Sequence, residues 1–171
     1  MGRVKARYLE FREPGDPGLP LKHYLAVDPG QKGGMAVVTY DGIPKDWIKM
    51  PVGTASIIDW ILAASSSYLN LLMVIEKAGV LPKQGIKGAF SYGAHFGLFE
   101  TVAIMLKMPY HTIHPAIWKK SLSLSSRKLD SINACRKIYP KVDLIPAGCR
   151  TPHDGLAESL LIAHWARLKN L

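Results

Sequence analysis

The chain has 171 residues, 48% of them hydrophobic and 20% charged, a balance that suits one cored domain and argues against a disordered chain. Lysine and arginine number 22 against 13 acids, for a formal charge of +9, which makes nucleic acid the leading class of partner. Two cysteines, Cys135 and Cys149, form no framework, and no apolar run reaches the ~18 residues of a membrane span, so neither a disulfide-stapled secreted scaffold nor a membrane protein is expected.

Residues 1–21, opening "MGRVKARYLEFREPGDPGLP", carry scattered charge and proline with no apolar signal segment, and are expected to form a basic flexible arm ahead of one folded domain at 22–171. "HYLAVD", "GGMAVVTY" and "DWIKMP", separated by glycine- and proline-rich turns, predict three consecutive strands in a meander. "TASIIDWILAASSSYL" then predicts a helix capped by Thr54, with Ile57, Ile58, Ile61 and Leu62 on one face. "NLLMVIE" is a continuous apolar run of strand length, as for a strand buried on both faces.

The segment that follows, Lys77 to Gly88, is basic and glycine-rich and predicts a mobile loop running into a helix near "SYGAHFGLFETVAIMLK". "MPYHTIHP" predicts a short strand, "PAIWKKSL" a turn or short helix, and "RKLDSINACRKIYP" a basic helix stopped by Pro140. "HDGLAESLLIAHWARLKNL" predicts a terminal helix with Asp154 in its first turn. The HxxH spacing of His111 and His114 lacks a second ligand pair and reads as a strand edge, while Met73, Met105 and Met108 are expected in the core.

Two acids, Asp28 and Glu76, end core strands, and the terminal helix offers Asp154 and Glu158 four residues apart and therefore on one face. If that helix crosses the sheet, these four carboxylates outline a metal site. Their hard oxygens suit Mg2+, with Mn2+ able to substitute, and a pair of such ions activates water and stabilises a leaving phosphodiester oxygen. Between Lys77 and Lys128 the chain carries Lys77, Lys83, Lys87, Lys107, Lys119, Lys120, Arg127 and Lys128 against one acid, Glu100, so an anionic polymer is expected to lie there.

Taken together and in order, "AVDPGQKGG", "VIEKAGVLPKQGIKGAFSYG", "PYHTIHPAIWKKSL" and "HDGLAESLLIAHWA" resemble the RuvC family of Holliday junction resolvases, in particular its bacteriophage branch, within the RNase H-like superfamily. The resemblance spans about residues 23–168 and implies an α/β fold with a central five-stranded mixed sheet flanked by helices. It further implies a homodimer that makes paired symmetric nicks in four-way DNA during recombination or processing of branched DNA, with two Mg2+ per active site. The setting implied is the cytoplasm, that of the bacterial host for a phage-encoded protein. No membrane and no nucleotide cofactor are expected.

Mapped through the resemblance, Asp28, Glu76, Asp154 and Glu158 hold metal, with Asp154 the preferred ligand of the last pair. His153 orients or deprotonates the water, and Lys119 contacts the scissile or a neighbouring phosphate. Lys77, Lys83, Gln84, Lys87, Lys120, Arg127 and Lys128 join Lys119 as DNA contacts, and Phe90 stands either near the junction centre or in the core. Aligned through "LAESLL", Glu158 falls where an Asp is usual and Gly155 where another Asp is frequent. Competing readings are a non-catalytic DNA-binding module on the same fold, an RNase H-like transposase or other nuclease, and an actin-type ATPase whose second phosphate loop this chain is too short to supply.

Overall fold

The computed structural model describes residues 22–77 and 85–171. The expected arm and the loop positions Lys83 and Gln84 lie outside the described residues. The elements run β1 (His23–Asp28), β2 (Gly34–Thr39), β3 (Pro44–Lys49), α1 (Thr54–Ser67), β4 (Leu71–Glu76), α2 (Ile86–Met105), β5 (Tyr110–Ile113), α3 (Pro115–Ser121), α4 (Lys128–Ile138) and α5 (Asp154–Leu168). The sheet is five-stranded in the order β3-β2-β1-β4-β5. Strands β1 to β3 form the antiparallel meander, whereas β4 pairs parallel to β1 and β5 parallel to β4.

Alternation along the strands divides the core into two layers. Tyr24, Ala26, Ala36, Val38 and Val74 face α3, α4 and α5, while Leu25, Val27, Met35, Val37, Met73 and Ile75 face α1 and α2. Helix α5 is largely apolar and, apart from the half-buried Glu158 and His164, buried from Gly155 to Ala166, the pattern of a helix enclosed on several sides. It lies on the sheet at a point of unusually close approach. A Cβ on Gly155 would stand 2.2 Å from the Lys32 carbonyl oxygen, and one on Gly34 2.9 Å from the Gly155 carbonyl oxygen. Glycine is required at both positions because no side chain fits.

Several local expectations are corrected. Gly53, not Thr54, caps α1, with a φ of 88° that glycine adopts freely. Pro44 opens β3 instead of closing the preceding turn, as an edge strand permits because one side of its ladder needs no donor. Helix α2 starts at Ile86, more than a turn before "SYGAHFG", and so absorbs Gly88 and the end of the expected loop. Glycines in a helix cost about 1 kcal/mol each relative to alanine, which is why the segment reads as a loop. Met73 and Met108 are core, but Met105 is 76% exposed on the outer face of α2, as is Phe90 at 79%, so Phe90 is not core.

Candidate active site

Because β1 and β4 are parallel neighbours, their last residues come out at the same end of the sheet, with Val27 opposite Ile75 in register. Asp28 and Glu76 therefore sit side by side. The close approach of Gly155 to the β1–β2 turn delivers α5 to the same end, and Glu158, one turn in, completes the group. Ligand oxygens of Asp28, Glu76 and Glu158 all lie within 4.8 Å of one another.

Each glutamate is held by named donors. The indole Nε1–H of Trp118, on α3, donates to Glu76 Oε2 at 2.7 Å. The Lys119 ammonium donates to Glu158 Oε1 at 2.6 Å, and the Ser131 hydroxyl, on α4, donates to that same oxygen at 2.9 Å. The Tyr92 hydroxyl, on α2, donates to the Glu76 main-chain carbonyl at 2.8 Å, tying that helix to the end of β4.

Burial and mutual repulsion decide the proton equilibria. Asp28 is pushed well above the usual carboxylate range by burial first, then by the Glu76 and Glu158 charges, with the Lys119 ammonium opposing. Burial likewise lifts Glu76 to about 7; the Trp118 hydrogen bond and Lys119 counteract this, and Glu158 adds to it. Among the described residues, one ammonium, that of Lys119, is bonded to this group of three carboxylates, so the group is short of positive charge. Hard oxygen donors in that condition fit a divalent cation such as Mg2+ or Mn2+.

No family model matches this sequence, and no curated protein matches it. The three-dimensional structure does find counterparts. RuvC of Thermus thermophilus, solved in complex with Holliday junction substrate, superimposes with a TM-score of 0.62 at 18% identity, over 87% of this chain and 95% of that one. A second Thermus thermophilus RuvC structure gives a TM-score of 0.56 at 18% identity, over 86% and 96%. The fold is RuvC-like.

On this RuvC-like frame the remaining expected residues take distinct places. Asp154 stands one turn before Glu158, outside the three-acid group, and its carboxylate is paired with Lys128 at 2.5 Å. Burial pushes Asp154 up, but the Lys128 hydrogen bond and charge outweigh it and leave the carboxyl below its ordinary value. His153 caps α5, its Nδ1 accepting the Leu156 amide at 3.2 Å, so that nitrogen is engaged as an acceptor and not free as a base. Burial holds the His153 imidazole below its usual value, with Asp154 opposing and Lys49 and Lys128 adding to the effect. His114 has a similar capping role at α3, its Nδ1 accepting from the Ala116 amide.

The basic residues divide by pairing. Lys119 is on Glu158, Lys128 on Asp154, and Arg127 on Asp130 at 3.1 Å. Lys77 and Lys120 are exposed, and the Lys77 ammonium lies 5.3 Å from the Phe96 ring centroid. Lys87 lies in the first turn of α2. Three residues at the site escaped sequence reasoning as hydrogen-bond donors: Trp118 and Ser131, which reach the carboxylates, and Tyr92, which reaches the Glu76 carbonyl. Ser131 had a faint signal: it is a polar residue four positions before Cys135 on the inward face of a helix. Among the described residues, no helix is long and apolar enough to cross a membrane.

Proposed function

We propose that this protein is a Holliday junction resolvase of the bacteriophage type: a Mg2+-dependent, structure-selective endonuclease that makes paired symmetric nicks in four-way DNA. The observation that carries the reading is the convergence of Asp28, Glu76 and Glu158 at one end of a RuvC-like sheet. The Thermus thermophilus neighbour solved with Holliday junction substrate supports the choice of DNA, as does the basic tract from Lys77 to Lys128.

Two divalent cations at such a site supply a water of lowered pKa and charge neutralisation on the scissile phosphate. The protein supplies the rest. Asp28, Glu76 and Glu158 would hold the ions, with Asp28 as the ligand they would share and the two glutamates as flanking ligands. Asp154 and Lys128 stand at the rim, where release of their ion pair provides a fourth carboxylate and a free ammonium for DNA. Lys119 neutralises the acids while the site is empty of substrate and is placed to shift its charge toward a phosphate, a task suited to a flexible point charge. Lys77, Lys83, Gln84, Lys87, Lys120 and Arg127 hold the DNA arms. Since burial raises the Asp28 carboxyl and lifts that of Glu76 to about 7, cation binding by these residues would release protons and would tighten as pH rises.

Paired nicks require two sites related by a two-fold axis. The outer face of α2 offers the surface for a homodimer: Ile86, Phe90, Ile104 and Met105 are exposed at helical spacing along one stripe. The test is nicking of an end-labelled synthetic four-way junction with Mg2+, beside linear duplex and the Asp28→Asn variant. Symmetric nicks on the junction alone, absent in the variant, are expected. Tight junction binding without cleavage would replace the reading with a non-catalytic junction-binding module.

A further inference from the structure

Trp118 and Ser131 are both fully buried, and each carries a polar hydrogen that burial obliges to find an acceptor. Both find a carboxylate oxygen of the acidic group, from two different helices. An alanine at 131 would fill the inward face of α4 beside Ile132 and Cys135 as well as serine does, so packing alone gives no reason for the hydroxyl. The indole of Trp118 belongs to the buried apolar cluster that also holds Ile113, Leu156 and Leu160, an environment that asks for an aromatic ring but not for an N–H, yet its N–H reaches Glu76 at 2.7 Å.

The two bonds divide the oxygens of the glutamates. Glu76 Oε2 is taken by Trp118 and Glu158 Oε1 by Ser131, which leaves Glu76 Oε1 and Glu158 Oε2 without those donors. Lys119 also holds Glu158 Oε1, but as a cation it is repelled by any metal ion that enters, whereas the neutral Ser131 hydroxyl is not. Ser131 therefore keeps Glu158 aimed when Lys119 departs.

We propose that Trp118 and Ser131 are positioning residues for a divalent-cation site, each pinning one oxygen of a glutamate so that the other faces the ion. The proposal rests on the metal-site reading above. Hydrogen-bonding partners of metal-binding side chains typically change metal affinity by about 10–100-fold when removed.

The experiment is calorimetric titration of Mn2+ into the full-length protein and the Trp118→Phe, Ser131→Ala and Ser131→Thr variants, with circular dichroism of each metal-free protein as the check on folding. We expect Trp118→Phe and Ser131→Ala each to bind Mn2+ about tenfold or more weakly with unchanged metal-free spectra, and Ser131→Thr, which keeps the hydroxyl, to stay near wild type. Affinity unchanged in Trp118→Phe and Ser131→Ala overturns the inference and leaves the metal site standing. A Ser131→Thr protein as weak as Ser131→Ala overturns it for Ser131, because packing and not the hydroxyl would then matter. Wild-type protein that binds no Mn2+ overturns the metal-site reading itself, and the inference falls with it.

Discussion

Without a divalent cation, the acidic site should make the protein less stable as pH rises from about 5 to about 8. Glu76 has its carboxyl lifted from 4.5 to about 7, chiefly by burial. Between those values the folded chain holds a proton that the unfolded chain has released, so stability falls with pH across that window. The contribution is fully present below 4.5 and gone above about 7. At about 1.4 kcal/mol for each pKa unit, it amounts to about 3 kcal/mol. Asp28, raised by burial and by both neighbouring glutamates, acts in the same direction. His153 and His164 are held low, both mainly by burial, and act in the opposite one. The informative quantity is therefore the difference between wild type and Glu76→Gln, which cancels the histidines and keeps an oxygen for the Trp118 N–H. Urea unfolding in chelator, followed by circular dichroism across that pH range, should show the glutamine variant gaining about 3 kcal/mol on wild type. A difference that stays flat, or that moves in favour of wild type, would refute the assignment of Glu76 as a buried carboxyl in a cluster of like charge. Added Mn2+ should abolish the gain by stabilising the ionised wild-type site.

Further outcomes follow from the same geometry. Gly155→Ala should lower the melting temperature by the equivalent of about 1–3 kcal/mol, since its Cβ would meet main chain at 2.2 Å and α5 must retreat from the sheet; nicking should fall with it, because Glu158 rides on α5. In native protein, a thiol reagent should modify Cys149 and spare Cys135, which is buried with its thiol pushed up to about 12; mass spectrometry of the labelled peptides reads this directly. Ile104→Asp places a charge in the exposed α2 stripe and should shift sedimentation toward the monomer while leaving the circular-dichroism spectrum unchanged.

Features whose information is local are legible in the chain itself. The apolar run ending at Asp28 and the second ending at Glu76 announce core strands, and the turns between β1, β2 and β3 announce a meander, because strand length, alternation and turn chemistry act over a few residues. Where local preference and packing disagree, packing prevails. Gly85 and Gly88 argue against a helix there, yet α2 starts at Ile86 and runs through Gly88, its later residues Phe99, Val102 and Ala103 burying against the sheet. Met105 has the composition of a core residue, but its position on α2 turns it outward.

The sequence by itself determined the α/β architecture, the two strand-end carboxylates and the basic character of the segment between them, since each is written in consecutive residues. Only the tertiary structure decided which acid of α5 joins Asp28 and Glu76. Asp154 and Glu158 share a helical face, so spacing alone does not separate them. The close glycine contact that seats α5 on the sheet brings Glu158 into the group, while Lys128, on α4, claims Asp154. The donors from α3 and α4 were equally out of reach, because a hydrogen bond between residues 27 or 42 positions apart depends on how helices pack and leaves no periodic mark in the chain.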